Sequence, residues 1–256
     1  MARRVALHDP LLGPLTDDLL TPEVRVYQRL KGHRFSSDDV ATAYVAYSAR
    51  PAAQRVLDLG CGLGSVLLLL AWKLPQAQLC GVEAQAMSFE LLQRNVARSG
   101  FAERVRVVHG DLREPSRFEP GFDLVTGTPP YFPPEAALEA EDEQRAFARI
   151  EYRGGVEAYV AAGAALLSQD GAFVLCGDAR ADARVASAAN VAGLQLRARH
   201  EIVARAGMTP LFSVWTLSFA SGAVQTSTLT LRGESGESTA DAARLRAFSG
   251  FDALPA

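Results

Sequence analysis

Cysteine is scarce in this chain, and its scarcity removes two classes of function. Only Cys61, Cys80 and Cys176 occur among 256 residues, none of them in CxxC spacing. So small a set supports neither a disulfide framework nor a structural zinc site, and reduced thiols in the cytoplasm are the expectation. The histidines, His8, His33, His109 and His200, are scattered without metal-ligand spacing, so no metal is expected. Long apolar runs are missing as well. No stretch approaches the roughly 18 residues of a spanning helix, and the Arg3-Arg4 start lacks a signal-like apolar segment, so no membrane association is expected. Nor is there an excess of positive charge. A net charge of -3 does not indicate a generally basic nucleic-acid binder, although it leaves room for a local patch.

What is present suffices for one core: 48% of the residues are hydrophobic and 21% charged, as in an ordinary α/β domain of this length. Short β-rich runs alternate with helical stretches from about residue 54. The strand candidates are Arg55 to Leu59, Leu79 to Glu83, Val105 to His109, Phe122 to Gly127 and Ala172 to Gly177. Two further runs, Leu194 to Val203 and Leu211 to Phe219, are joined through Gly207 and Pro210 and predict an antiparallel hairpin at the sheet edge. The pattern predicts a Rossmann-like, mostly parallel sheet of about seven strands, with helices on both faces and a terminal antiparallel hairpin. Asp38 and Asp39 follow Ser36 and Ser37 as a helix start, with the helix running to about Ala49. Residues 1–35 then read as a mostly irregular lid, 36–232 as the main domain, and 233–256 as a polar, peripheral tail.

The chemistry is expected at the carboxyl ends of the strands. Asp58-Leu59-Gly60-Cys61-Gly62-Leu63-Gly64 follows the first main strand, and its glycines suit a backbone that must approach a ligand closely. The spacing is G-x-G-x-G and not the G-x-G-x-x-G of nicotinamide binders. Asp58 is placed to accept from a cationic amino group, and a pyrophosphate would be repelled there. Glu83, ending the second strand, suits a ribose diol, and Asp111, beside Leu112 after the third, suits an adenine amino group. Cys61 fills a small-residue slot. A plainer reading of each lone acid is a turn former or N-cap.

Val56 through Gly64 resembles motif I of class I S-adenosylmethionine-dependent methyltransferases. The chain from about residue 26 to 232 is similar to the small-domain branch that includes bacterial adenine-N6 methyltransferases of valine tRNA. The likeness includes Tyr27 to Asp38, Arg145, Arg149 and Tyr159. It implies S-adenosylmethionine as cofactor, bound by Asp58, Gly60, Cys61, Gly62, Gly64, Glu83, Asp111 and Leu112. It also implies an acceptor site at Thr128-Pro129-Pro130-Tyr131, with Arg34, Phe35, Phe132, Arg145 and Arg149 on the substrate.

In that family the tetrapeptide reads Asn-Pro-Pro-Tyr, and the Asn side chain with the first proline carbonyl accepts the two hydrogens of a planar amino group. Here Thr128 stands in place of the Asn, with a shorter, β-branched acceptor. It reads equally as a turn residue. Neither Pro129 nor Pro130 has an N–H to give a sheet, so they turn the chain rigidly under either reading. Tyr131 and Phe132 offer stacking faces or lid packing. Should the acceptor need a general base, Asp38 and His33 are the candidates.

The acceptor stays open at this stage. Arg25, Arg29, Lys31, Arg34, Arg197, Arg199 and Arg205 would serve an RNA backbone, while Glu135, Glu139, Glu141, Asp142 and Glu143 oppose one close to the Pro-Pro turn. The expected partner is therefore an RNA base, with a small molecule or peptide side chain as the alternative. A non-catalytic cofactor-binding partner subunit is the third reading.

Overall fold

The computed structural model describes residues 5–136 and 142–251. The segment expected to be irregular forms three strands, β1 (Leu7–Asp9), β2 (Gly13–Leu19) and β3 (Arg25–Arg29), paired antiparallel in that order. Two turns carry it. Asp9 Oδ1 accepts the N–H groups of Leu11 and Leu12, and the Thr21 hydroxyl accepts those of Glu23 and Val24. Leu12, Leu15, Leu20, Val24 and Val26 are buried against the main domain, so this small sheet is part of the core.

After α1 (Ser37–Ala49) the chain alternates as expected through β4 (Arg55–Leu59), α2 (Ser65–Lys73), β5 (Gln78–Glu83), α3 (Ala86–Ser99), β6 (Val105–His109) and β7 (Phe122–Gly127). It continues through α4 (Glu143–Arg149), α5 (Val156–Leu166), β8 (Leu167–Gly177), α6 (Asp182–Val191), β9 (Gln195–Val203), β10 (Phe212–Ser218), β11 (Gln225–Thr230) and α7 (Ala240–Phe248). The sheet order is β11-β9-β10-β8-β7-β4-β5-β6. Strands β4 to β8 run parallel, and β10 is antiparallel to both β8 and β9. The terminal hairpin is therefore present. The sheet has eight strands and not seven, because β11 adds parallel to β9 and takes the edge expected for the hairpin. Its exposed Gln225, Thr226, Ser227 and Thr228 carry no apolar signal, which is why this strand was not counted from sequence.

Three layers result. Helices α1, α2 and α3 cover one face of the sheet, where Leu67 to Leu70 are wholly buried and make α2 apolar all round. Helices α5 and α6 cover the other, over Leu57, Val125, Phe173 and Trp215. Each such side chain stabilises the fold by about 1.5–3 kcal/mol. The tail is packed and not peripheral: Phe248 of α7 meets Tyr44 edge-on at 5.6 Å between ring centroids. The chain runs outward from β4 to β6 and then returns to β7 on the other side of β4. That reversal opens a crevice at the carboxyl ends of β4 and β7, where such sheets hold their ligands.

Candidate active site

Gly60, Gly62 and Gly64 all have positive φ, at 59°, 56° and 95°. The loop therefore needs glycine for its backbone, and at Gly60 for space too. A Cβ there would lie 2.2 Å from the Tyr159 hydroxyl, and one on Gly127 would lie 2.7 Å from the same ring. Tyr159, buried in α5, thus fills the room that two glycines leave at the ends of β4 and β7. Cys61 is buried, and its Sγ fits beside Gly81, where a Cβ would come within 2.8 Å. Burial pushes its thiol well above the usual range, leaving it inert.

Three acids surround this loop. Glu83 accepts from the Gly62 N–H (2.9 Å) and the Gln85 N–H (2.7 Å), which fixes its carboxylate at the mouth of β5. Asp58 Oδ1 accepts from the Thr126 hydroxyl on β7 at 2.7 Å, while Oδ2 is buried without a hydrogen-bond partner. Burial pushes the Asp58 pKa up to about 7, against the Thr126 hydroxyl and the Leu67 N–H, which draws it down without completing a hydrogen bond. Asp39, which the sequence marks only as a helix starter, is the third. It lines the same pocket, with Oδ1 accepting from the Ser65 hydroxyl (2.6 Å) and Oδ2 from the Ser36 N–H (2.8 Å). Burial, and then the field of Asp38, push it to about 7 as well.

Gly110, Asp111 and Leu112 also line the pocket. The Asp111 carboxylate is taken by Arg113, through Nε at 2.9 Å and Nη2 at 2.6 Å, so it is not free as a simple acceptor. Phe147 and Arg153 also line this pocket and were not singled out by sequence. The Arg153 guanidinium sits 4.6 Å over the Phe147 ring.

A second cleft adjoins the first, and both are bordered by His33, Phe35, Asp39, Thr128 and Ala148. Thr128 therefore stands at the junction. Its hydroxyl makes no hydrogen bond among the described residues, unlike a threonine that serves a turn. Pro130 faces the first pocket, and Pro129, Tyr131 and Phe132 the second. The Tyr131 hydroxyl is 2.8 Å from Cys176 Sγ and donates to Asp38 at 3.2 Å, which anchors the Pro-Pro-Tyr turn to β8 and α1. Burial lowers the His33 pKa; Asp38 opposes this, and Arg145 and Arg149 lower it further.

The substrate-side residues divide. Phe35 borders both clefts, with its N–H held by Gln28 Oε1 of β3 at 2.9 Å. Arg34 lines the cleft, but its guanidinium is committed to Asp18 (2.7 Å) and Thr16 (2.7 Å) of β2. Arg145 and Arg149 are exposed on the rim with no ion pair among the described residues, Arg149 lying 5.5 Å over the Phe132 ring. Arg29 and Arg199 are ion-paired to Asp142 and Asp182, and Arg25 to Asp17. Of the acidic run, Glu139 and Glu141 lie outside the described residues.

Helix α4 roofs the pocket. Gln144 is buried and donates to the Ser88 hydroxyl of α3 (3.1 Å), while its Oε1 accepts from Arg29 of β3 (3.2 Å), which also pairs with Asp142 (2.8 Å). Asn95 of α3 joins the two layers. Its amide bonds both the N–H and the C=O of Tyr27, at 2.7 and 3.1 Å, and also the Leu63 carbonyl in the glycine loop at 3.0 Å. The small sheet is thereby hydrogen-bonded to the loop it covers.

Residues 56–150 match the family model described as a methyltransferase domain. The tRNA1(Val) (adenine(37)-N6)-methyltransferase of Porphyromonas gingivalis is 34% identical over 126 residues, which cover 48% of this chain and 49% of that protein. The protein of the same name from Yersinia pestis is 37% identical over 125 residues, 47% of this chain and 49% of its own length. The chain spans about half the length of the curated relatives it matches. A crystal structure of a predicted O-methyltransferase from Agrobacterium tumefaciens superposes with a TM-score of 0.63 at 16% identity, over 83% of this chain and 97% of that one, which is a likeness of fold. Residues 56–150 are thus similar to a methyltransferase domain, and the sheet that carries them is Rossmann-like.

Proposed function

We propose that this protein transfers the methyl group of S-adenosylmethionine to an amino group on a planar base of RNA. The observation that carries the reading is the Thr128 hydroxyl at the junction of the two clefts, unbonded among the described residues. The first cleft fits the donor on its own features, a glycine cradle at the end of β4 and Glu83 for a diol, and the orphaned Asp58 Oδ2 just ahead of the glycine loop suits a cationic amino group. When bound there, S-adenosylmethionine supplies an electrophilic methyl group on a sulfonium.

The chain's own part is positioning. Thr128 accepts one hydrogen of the acceptor amino group and the Pro129 carbonyl the other, which turns the nitrogen lone pair toward the donor. Phe35 and Phe132 flank the acceptor, and base-aromatic stacking contributes about 1–3 kcal/mol per base. Arg145 and Arg149, on the rim with no ion pair among the described residues, meet the phosphates. His33, held toward its neutral form, borders both clefts and is placed to take the proton released. In this reading residues 36–232 form the catalytic unit, working in the cytoplasm under the cap built from residues upstream of 36. The names of the two relatives point to the same acceptor class.

Transfer of labelled methyl from S-adenosylmethionine is measured in parallel into total tRNA, total protein and a small-molecule extract. Label in tRNA, recovered on an amino-methylated nucleoside after digestion, is expected. Label only in protein or small molecules overturns the RNA acceptor and leaves the donor in place. No label anywhere, with no binding of the donor, overturns both.

A further inference from the structure

The acids around the glycine loop differ from most of those elsewhere on the molecule. Asp9, Asp17, Asp18, Asp111, Asp142, Asp178, Asp182 and Asp241 each face an arginine within ion-pair distance. Asp39, Asp58 and Glu83 are buried beside the donor pocket, and no ion pair reaches any of them among the described residues. Glu83 is compensated by two backbone N–H groups. The charge of Asp58 adds to the cost of charging Asp39, and Asp58 Oδ2 is buried with no hydrogen-bond partner among the described residues. Burying two carboxylates without a cation is costly, and a ligand that brings the cation removes the cost.

We propose that Asp39 is a second cofactor-binding carboxylate, which together with Asp58 encloses the ammonium group of the donor's amino-acid end. The geometry suits that group. Ser65 at the head of α2 and Ser36 before α1 fix the orientation of Asp39 by one hydrogen bond to each oxygen, and each oxygen keeps further acceptor capacity. An ammonium has three donors, enough for Asp58 Oδ2 and the spare acceptor positions of Asp39. The two acids do not belong to any metal-binding group among the described residues, so an organic cation is the better match. Asp39 lines the pocket from α1, while Asp58 lies in β4 just ahead of the glycine loop, so the two carboxylates come from separate elements.

This inference rests on the donor reading above, and its test separates the two. Binding of S-adenosylhomocysteine and of its analogue lacking only the α-amino group is measured by calorimetry on the full chain, wild type and Asp39→Asn. The wild type is expected to prefer the amino-bearing ligand by about tenfold or more, the scale of a charge-assisted hydrogen bond. Asp39→Asn keeps size and the bond from Ser36, and is expected to lose about tenfold on S-adenosylhomocysteine and less than about twofold on the analogue. Equal wild-type affinity for both ligands overturns the proposal without recourse to any variant. So does an Asp39→Asn protein whose discrimination is unchanged, or whose loss is equal for both ligands. A wild type that binds neither ligand overturns the donor reading and this proposal with it.

Discussion

The hydroxyl of Tyr159 lies 2.2 Å from the place a Cβ on Gly60 would occupy, so one aromatic side chain on α5 holds the glycine loop in its shape from outside. Gly60→Ala therefore meets two obstacles: the positive φ, at about 1–2 kcal/mol, and the Tyr159 collision. Gly62→Ala, with the same sign of φ and nothing within 4 Å, meets only the first. Urea denaturation should find Gly60→Ala the less stable of the two, and donor binding should fail only there. Equal destabilisation would remove the role assigned to Tyr159.

Thr128 gives the second prediction. Thr128→Val keeps the shape and deletes the acceptor, and kcat should fall by at least about tenfold with donor affinity unchanged, the cost of an unmet hydrogen bond. Thr128→Asn restores the two-atom reach of an amide and should keep or raise transfer to an adenine amino group. Unaltered kcat in Thr128→Val would return the residue to a turn role.

Stability without ligand should depend on pH. Asp39 and Asp58 stand near 7 in the folded protein against an ordinary 3.8. The folded state holds these protons more tightly than the unfolded chain, so their contribution is full below about pH 4 and is lost as pH rises through about 7. The melting temperature of the ligand-free protein should fall across that window, and Asp58→Asn should flatten the fall. Saturating S-adenosylhomocysteine at pH 8 should recover stability by mass action. A profile unchanged by the substitution would show that Asp58 is ionised throughout.

Asn95 ties three backbone groups from two layers with one amide. Asn95→Ala leaves the Tyr27 N–H and two carbonyls unmet in a buried place, at about 3 kcal/mol. The expected signature is local as well: faster amide exchange in β3, with β4 and β7 still protected. Uniform loss of protection would mean that the small sheet and the main sheet unfold as one.

Much of this was legible from sequence, for a physical reason. Strands such as β4 and β7 are buried on both faces and read as short apolar runs with polar ends, and Gly60 to Gly64 announce a loop whatever surrounds them. The small sheet was not legible, because β2 and β3 carry Asp17, Asp18, Arg25 and Arg29: Asp17 is met by Arg25 and by Arg98 of α3, Asp18 by Arg34, and Arg29 by Asp142. No local pattern shows a partner 81 residues away. Arg34 and Asp111 looked available for the same reason and prove to be held by Asp18 and Arg113. Asp39 hid behind its other role: the contact that starts α1 is real, and nothing in its spacing shows that the carboxylate also faces a pocket.

Strand β11 carries a consequence for solution behaviour. By lying parallel on Ala198 to Val203 of β9 it covers their outward backbone donors and acceptors and presents in their place a six-residue border in which only the buried Leu229 is apolar. An open border of main-chain groups templates association between molecules, and a short polar one discourages it. Strand β11 thus acts as a guard against self-assembly, and a protein truncated after Ala220 should form higher-order species in light scattering even where the pocket at the glycine loop is intact.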